Sequence, residues 1–251
     1  MDLSYKLKKK DFKLYDWFTN SLSLPSLKND LPLGPYFNFI RNKVKNIPGD
    51  IVEFGVFRGD SIIATAILLK RCKIKKKIIG FDTFKGFLKK NKKDNVSTFK
   101  KLYFQKKISH KHYSWIKLRE EALKLKLIQN HQWKSTSFNF VKKRIKKFKL
   151  QKDIQLIRGD ISKSVFKIKK NQKYAAGFMD CNLYEPHISA LNHCWKHLSK
   201  KGRIFLDDYF SLKYPGARIA VNEFCEKNKL KIKKVKLYPG DFERHFIEKN
   251  Y

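Results

Sequence analysis

Short apolar runs alternate with amphipathic stretches along most of this chain. Five apolar runs have the length of buried strands: residues 51–55, 77–82, 153–157, 174–180 and 202–208. Apolar residues recur at helical spacing in four further stretches: 59–71, 136–148, 186–198 and 216–227. Alternating strands and helices are typical of a parallel sheet that is covered by helices on both faces.

The end of the chain departs from this alternation. Two runs, 231–238 and 242–248, surround Pro239-Gly240 and predict a closing hairpin. We therefore predict an α/β fold with a doubly wound sheet that is mostly parallel and carries a late antiparallel strand.

The length of 251 residues suits one domain with additions. Residues 1–46 are predicted to form an N-terminal lid or extension, and residues 47–251 the main domain. A short helix predicted over 36–44 packs on the sheet edge or belongs to the lid, and both alternatives are open. A long basic insertion at about 84–133 is predicted to be a lid, a substrate-binding element or a helical excursion.

The stretch Asp50-Ile-Val-Glu-Phe-Gly-Val-Phe-Arg-Gly-Asp-Ser61 passes from a strand through a glycine turn into a helix. Such a turn brings backbone N–H groups and a helix N-terminus towards a ligand. Glu53 falls at the end of the first strand, and Asp82 ends the second. Asp82 has the position that bonds ribose hydroxyls in nucleotide-binding sheets, with a simple turn cap as the alternative. The pattern predicts a small cofactor at this turn.

Acidic residues follow all five predicted parallel strands: Glu53, Asp82, Asp160, Asp180, Asp207 and Asp208. The chain has 22 acids against 58 bases, so this concentration at strand ends is informative. Asp180, Asp207 and Asp208 would meet on adjacent central strands, where like charges repel. A divalent cation relieves that repulsion, and Mg²⁺ suits a site that also takes substrate oxygens. The alternative is that some of these acids cap helices or pair with lysine.

The net charge of +36 raises the question of nucleic-acid binding. Only nine of the 58 basic residues are arginine, which is the preferred residue for bidentate phosphate and base contacts. The composition therefore argues against nucleic acid as a partner. A solvated lysine surface that favours acidic substrates or anionic membranes is the simpler interpretation.

Signals for localisation are weak. The first residues show no apolar core of signal-peptide length, and the longest apolar run, 62–69, is too short to span a bilayer. The four cysteines have no paired metal-ligand spacing. We therefore expect a cytoplasmic protein without a transmembrane segment, and homo-oligomer formation is left open.

Several motifs resemble, in order, those of the macrocin O-methyltransferase family. They are Ile51-Val-Glu-Phe-Gly-Val-Phe-Arg-Gly-Asp-Ser61, Gly80-Phe-Asp-Thr-Phe-Lys-Gly-Phe87, Met179-Asp-Cys-Asn-Leu-Tyr-Glu-Pro186 and Ile204-Phe-Leu-Asp-Asp-Tyr209. Gly216-Ala-Arg-Ile-Ala-Val-Asn-Glu-Phe224 is similar to the family's helix after the paired acids. The similarity runs over about residues 47–228.

This resemblance implies a class I, Rossmann-like methyltransferase that uses S-adenosylmethionine and a divalent metal on sugar or glycan hydroxyls. It assigns Glu53, Gly55 and Gly59 to the methionine part of the cofactor. It assigns Asp82 to the ribose, and Asp160 with Ile161 to the adenine. Three neighbours complete the cofactor set: Val56, Ser61 and Thr83. The implied metal ligands are Asp180, Asp207 and Asp208.

One position departs from the family pattern. Relatives typically have Asp-Gly-Asp-Leu-Tyr where this chain has Asp180-Cys-Asn-Leu-Tyr184. The second acid is a proposed general base, and Asn182 cannot accept a proton in that role. The candidate catalytic set is therefore Asp180, Asn182, His110 and His112, with one of the histidines as base or the metal activating the hydroxyl by itself.

Two other functions stay open. One is a methyltransferase that acts on RNA through the lysine surface, and the other is a non-catalytic sugar- or nucleotide-binding relative, which Asn182 would favour.

Overall fold

The computed structural model describes residues 33–127, 136–235 and 243–250. Within this part of the chain, seven strands form one sheet: β1 (Asp50–Phe54), β2 (Ile78–Asp82), β3 (Ile154–Arg158), β4 (Tyr174–Met179), β5 (Leu198–Leu206), β6 (Lys233–Val235) and β7 (Arg244–Glu248). Eight α-helices accompany them: α1 (Gly34–Asn42), α2 (Asp60–Arg71), α3 (Thr98–Phe104), α4 (His110–Lys124), α5 (Phe138–Lys147), α6 (Ile161–Ser164), α7 (Tyr184–His197) and α8 (Gly216–Lys227). None of these helices is long and apolar enough to cross a membrane.

The strand order is β3-β2-β1-β4-β5-β7-β6. Strands β1 to β5 run parallel, whereas β7 pairs antiparallel with both β5 and β6. The predicted α/β fold with a late antiparallel strand is therefore confirmed. The chain moves outward from β1 to β3 and then returns to β4 on the other side of β1. Open α/β sheets bind ligands at such a switch point, beyond the carboxyl ends of the strands.

Both faces of the central sheet are buried. All six residues of β4 are buried, and β1 is buried from Ile51 to Phe54. One face packs against α1, α2 and α5 through residues such as Ile62 and Val141. The other face packs against α6, α7 and α8, with Leu191 at its centre. Continuous apolar runs mark these strands because neither face meets water.

Helix α1 packs on the sheet and does not belong to a lid. The Tyr36 ring lies 4.9 Å from Phe178 of β4 and 5.3 Å from Phe205 of β5, measured between ring centroids. These contacts place α1 over the middle of the sheet, away from the predicted edge. The helix begins at Gly34 because Pro35 suits the first turn of a helix. The rest of the predicted extension, residues 1–32, lies outside the described residues.

The described part of the insertion is a helical excursion. Helices α3 and α4 form a small core of their own against the loop after β5. Its members are Phe99, Leu102, Ile108, Ile116, Phe210 and Leu212. The side chain of Ser109 caps α4 by accepting the N–H of His112. Residues 128–133 of the insertion lie outside the described residues.

The ends of several elements differ from the predicted ones. Strand β5 begins at Leu198 and ends at Leu206, whereas the prediction extended it over 202–208. The chain leaves β5 at Asp207 and forms a 3-10 turn over Asp207–Phe210. Helix α7 begins at Tyr184, since Pro186 is tolerated in a first turn. The predicted hairpin strands are present in part, and their Pro239-Gly240 turn lies outside the described residues.

Candidate active site

A cavity of about 410 Å³ lies beyond the carboxyl ends of β1, β2, β4 and β5. This volume is within the usual range for small-molecule sites. The cavity brings together residues that are up to 189 positions apart in the chain, from Gly55 to Arg244. Nine of the predicted site residues line it: Gly55, Asp82, Thr83, Asp160, Ile161, Asp180, Asn182, Asp207 and Asp208.

The turn after β1 can be built only with glycine at position 55. Gly55 has φ +94°, and a Cβ atom there would lie 1.8 Å from the carbonyl oxygen of Asp180. The backbone of β1 therefore touches the end of β4 at the cavity wall. Asp82 fastens the same turn to β2, because its carboxylate accepts the N–H of Phe57 at 2.9 Å and that of Phe84 at 2.6 Å. Asp82 is thus a turn cap and a cavity residue at once.

Four other predicted cofactor residues lie behind the cavity wall. Val56 is buried, and Gly59 is the N-cap residue of α2 with φ +82°. Glu53 is fully buried, and the Ser61 hydroxyl donates to its Oε1 atom at 2.6 Å. Within the described part of the chain, Oε2 of Glu53 has no hydrogen-bond partner.

Burial raises the pKa of Glu53 to about 8, and the negative charge of Asp82 adds to the rise. A buried carboxyl group with one unsatisfied oxygen is unfavourable by itself. A cationic group in the turn would favour its charged form. The chemistry of Glu53 therefore fits the positively charged donor that the resemblance implies.

Asp180, Asp207 and Asp208 form a carboxylate cluster. Each offers one oxygen, and these three oxygens lie within 4.8 Å of one another. Burial raises the pKa of all three groups, and for Asp180 and Asp208 the neighbouring carboxylates raise it further, to about 7 for Asp208. Two bases oppose this charge: Nη1 of Arg244 lies 3.8 Å from Asp207, and the positive charge of Lys213 lowers the pKa of Asp208. The donor set therefore fits a hard divalent cation.

Asn182 lies next to the carboxylate cluster and contacts Asp208. It has φ +60°, a region that asparagine tolerates better than most residues. Its backbone N–H donates to Oδ2 of Asp208 at 2.6 Å. Asn182 is mostly buried and lines the cavity, so its amide is placed to hydrogen-bond an acceptor. It cannot remove a proton.

The structure does not bring the two histidines to the carboxylates. His112 is buried in the α3–α4 core, where it stacks on Phe210 at 4.0 Å and shares a hydrogen bond with the carbonyl oxygen of Ser211 at 2.8 Å. Burial lowers its pKa to about 4. His110 is exposed on α4, 3.2 Å from the Tyr103 hydroxyl. Neither is among the described residues that line the cavity, so the geometry does not support their predicted role as a base.

The sequence analysis missed the basic residues of the cavity, among them Lys213 and Arg244. Lys213 lines it, and burial together with the positive charge of Arg119 lowers the pKa of Lys213 to about 8, against the pull of Asp208. Arg244 reaches the cavity from the start of β7. No pattern marked either residue, because lysine is abundant throughout the chain and β7 carries no family motif.

The strand order and the cavity at the switch point define the class I methyltransferase fold. The fold is similar to that of the O-methyltransferase NovP, with a TM-score of 0.64, 16% identity and 100% of both chains covered. It is also similar to CalS11, a calicheamicin methyltransferase, with a TM-score of 0.61 and 20% identity over 99% of this chain and 96% of that one. A putative caffeoyl-CoA O-methyltransferase from Staphylococcus aureus matches with a TM-score of 0.52 and 9% identity, over 98% and 94% of the two chains.

The match of a family model to the sequence establishes the family of this chain. The model of the macrocin-O-methyltransferase (TylF) family matches residues 39–237, and the chain belongs to this family. It is therefore an S-adenosylmethionine-dependent O-methyltransferase, and the predicted family is confirmed. No curated protein matches the chain.

Proposed function

We propose that this enzyme transfers the methyl group of S-adenosylmethionine to a hydroxyl of a sugar, with Mg²⁺ held by Asp180, Asp207 and Asp208. The observation that carries the proposal is the position of the carboxylate cluster, which opens into the same cavity as the glycine turn. A sugar acceptor is supported by the family's name and by a similar structure described as a TDP-rhamnose 3'-O-methyltransferase. That structure has a TM-score of 0.53 and 21% identity.

The residues of the β1 turn would bind and orient the donor. Gly55 allows the donor to approach the backbone closely, and Glu53 supplies negative charge behind the turn. Asp82 would accept hydrogen bonds from the ribose, and Asp160 with Ile161 would border the adenine. Fixing two substrates in one cavity accounts for much of the rate enhancement in such reactions.

The carboxylate cluster and Asn182 would position the acceptor. When bound, a divalent cation lowers the pKa of an acceptor hydroxyl. In the overall reaction, the hydroxyl oxygen forms a bond to the methyl carbon while the bond from that carbon to the sulfonium sulfur breaks. The products are a methyl ether, a neutral thioether and one proton. Asn182 takes no proton, so we propose that the proton leaves through the cavity mouth, where Leu88 and Lys89 are exposed.

Calorimetric titration with S-adenosylmethionine tests the donor site. The unmodified chain should bind the cofactor, and Asp82→Ala should weaken binding by at least about tenfold, because it removes a charged hydrogen-bond acceptor and the fastening of the β1 turn. Asp153→Ala is the matched control, since Asp153 pairs with Lys70 away from the cavity. No binding to the unmodified chain, or equal losses in both variants, would reject the assignment.

A further inference from the structure

The 3-10 turn Asp207–Phe210 carries two of the three clustered carboxylates. Repulsion between these carboxylates and that of Asp180 favours a movement of the turn away from β4. The bases beside the cluster and the Asn182 N–H, which donates to Asp208, offset part of this repulsion. Contacts that fix the backbone after Asp208 would also keep the three oxygens close enough for one cation.

His112 of α4 makes such a contact just beyond the turn. Its side chain is 1% exposed, and its ring stacks on that of Phe210 with the centroids 4.0 Å apart. Its Nε2 atom lies 2.8 Å from the carbonyl oxygen of Ser211. Phe210 and Ser211 both line the cavity, whereas His112 is not among the residues that line it. A residue of the helical excursion therefore holds part of the cavity wall from behind.

Arg218 of α8 contacts the same turn. Its Nη1 atom donates to the carbonyl oxygen of Tyr209 at 3.0 Å and lies 3.3 Å from Nδ1 of His112. Its Nε atom donates at 3.2 Å to the carbonyl oxygen of Lys107, in the connection between α3 and α4. The guanidinium group also lies 4.2 Å from the centre of the Tyr209 ring. Arg218 therefore joins α8, the turn and the α3–α4 excursion in one network.

The two hydrogen-bond partners of His112 determine its protonation state. A carbonyl oxygen can only accept a hydrogen bond, and a guanidinium group can only donate one. Nε2 of His112 therefore donates to Ser211, and Nδ1 accepts from Arg218, which is the arrangement of a neutral ring. Burial lowers the pKa of His112 to about 4, in agreement with this assignment. Because both ring nitrogens are engaged, the ring can hold the turn but cannot take a proton from an acceptor.

Arg218 belongs to the stretch Gly216–Phe224, which resembles the family's helix after the paired acids. All nine residues of this stretch are described, and none of them lines the cavity. Asn222 of the same stretch accepts a hydrogen bond from the Tyr209 hydroxyl at 2.8 Å. The contacts of this stretch with the site therefore run through the 3-10 turn.

We propose that His112 and Arg218 are positioning residues of the metal site, which hold the 3-10 turn so that Asp207 and Asp208 stay beside Asp180. The inference rests on the proposed function, because it takes the carboxylate cluster as the site of a divalent cation. The α3–α4 excursion then supports the metal ligands from outside the cavity. Ligands that are held in place before the cation arrives lose less entropy when they bind it. Groups that orient metal ligands commonly change metal affinity by about 10–100-fold.

Five variants of the full chain test the inference. His112→Phe keeps a ring that can stack on Phe210 and removes both hydrogen bonds, whereas His112→Gln keeps one donor and one acceptor. Arg218→Gln removes the guanidinium group from a half-buried position. His110→Phe is the matched control, because it makes the same substitution at an exposed position of α4. Leu102→Ala loosens the same small core and removes no hydrogen bond to the turn.

Two affinities are measured for each variant near neutral pH. Binding of Mn²⁺ is followed by the loss of the electron paramagnetic resonance signal of the free ion, and binding of S-adenosylhomocysteine by calorimetry. The midpoint of urea unfolding records the stability of each variant.

His112→Phe and Arg218→Gln should each weaken Mn²⁺ binding by about tenfold, because the turn that carries two ligands is less well held. Their affinity for S-adenosylhomocysteine should stay within about twofold, since the β1 turn is unchanged. His112→Gln should recover most of the Mn²⁺ affinity. His110→Phe and Leu102→Ala should bind Mn²⁺ as the unmodified chain does, even though Leu102→Ala unfolds at a lower urea concentration.

Unchanged Mn²⁺ affinity in His112→Phe and Arg218→Gln would overturn the inference, and where one of the two does not fold, the other decides. An equal loss in Leu102→Ala would also overturn it, because loosening of the small core would then explain the effect. Equal losses of Mn²⁺ and S-adenosylhomocysteine affinity would show general damage to the fold instead of a displaced turn.

The unmodified chain separates this inference from the proposed function. If it binds S-adenosylhomocysteine but no Mn²⁺, the proposed metal site fails and this inference fails with it. If it binds both and the two variants match it, only this inference fails.

Discussion

At the scale of single residues, the site contains charged and polar groups whose burial is unfavourable by itself. Glu53 is fully buried with one oxygen unsatisfied, and neighbouring carboxylates raise the pKa of Asp180 and of Asp208. Gly55 is held in a left-handed conformation against the Asp180 carbonyl. Such features are typical of binding sites, where strain and unpaired charge are compensated by the ligand.

The protonation of Glu53 should make stability depend on pH. The folded chain raises the pKa of Glu53 from 4.5 to about 8, so folding favours the protonated form. The contribution of Glu53 to stability is complete below pH 4.5 and is lost as the pH rises through about 8. The glutamine side chain of the Glu53→Gln variant does not titrate, so this pH dependence is absent from the variant. Relative to the unmodified chain, the variant should gain a few kcal/mol of unfolding free energy between pH 5 and pH 8.5.

Urea unfolding of the cofactor-free chain at these two pH values measures the effect. Glu121→Gln, on the half-exposed surface of α4, is the control and should show no comparable trend. An equal difference in free energy of unfolding between Glu53→Gln and the unmodified chain at both pH values would contradict the prediction. That result would show that Glu53 does not retain its proton in the folded chain.

The close contact at Gly55 gives a second prediction. Gly55→Ala introduces a Cβ atom 1.8 Å from a backbone oxygen, which cannot move without displacing β4. Gly86→Ala also places alanine at positive φ, 79°, and is the control for the backbone strain of a positive φ. Gly86→Ala should cost about 1–2 kcal/mol, and Gly55→Ala clearly more. Thermal unfolding measures both, and equal losses would contradict the contact between β1 and β4.

At the scale of elements, strands and helices were predicted well wherever burial sets the pattern. The parallel strands are buried on both faces, so their apolar runs are visible in the sequence. Element ends were predicted less well, because local turn chemistry decides them. Asp207 and Asp208 enter a 3-10 turn, although the apolar run before them suggested a longer strand.

The site was predictable to the extent that it lies at strand ends. Asp82, Asp180 and Asp208 follow strands, so the topology alone brings them together. Lys213 and Lys89 reach the cavity from loops, and no periodicity distinguishes them from the many other lysines. His112 looked like a candidate base because it lies in the insertion, yet the α3–α4 core buries it.

Helix α1 provides a test at this scale. Its Phe37 side chain is fully buried in the core, so Phe37→Ala should reduce the free energy of unfolding by about 3–5 kcal/mol. Phe104 at the end of α3 is 70% exposed, and Phe104→Ala should have an effect of less than about 0.5 kcal/mol. Denaturant unfolding compares the two. A stability loss for Phe37→Ala no larger than for Phe104→Ala would mean that α1 behaves as a detachable lid.

At the scale of the whole molecule, charge is separated between surface and site. The chain carries a net charge of +36, yet seven of its 22 acids, all in the described part of the chain, line one cavity or lie behind its wall: Glu53, Asp82, Asp160, Asp180, Glu185, Asp207 and Asp208. Parallel topology produces this separation, because it gathers residues that are distant in sequence at one edge of the sheet. In the proposed function, a cationic donor and a divalent cation would both bind among these acids.

The most direct test of this account is a distance between donor and metal. Mn²⁺ replaces Mg²⁺ at oxygen-ligand sites, and its unpaired electrons relax nearby nuclei. The account predicts strong relaxation of the ¹³C-labelled methyl group of bound S-adenosylmethionine when Mn²⁺ is added, and its loss in Asp208→Asn while the cofactor stays bound. An unchanged methyl signal in the unmodified chain, with both cofactor and Mn²⁺ shown to be bound, would contradict a shared cavity for donor and metal.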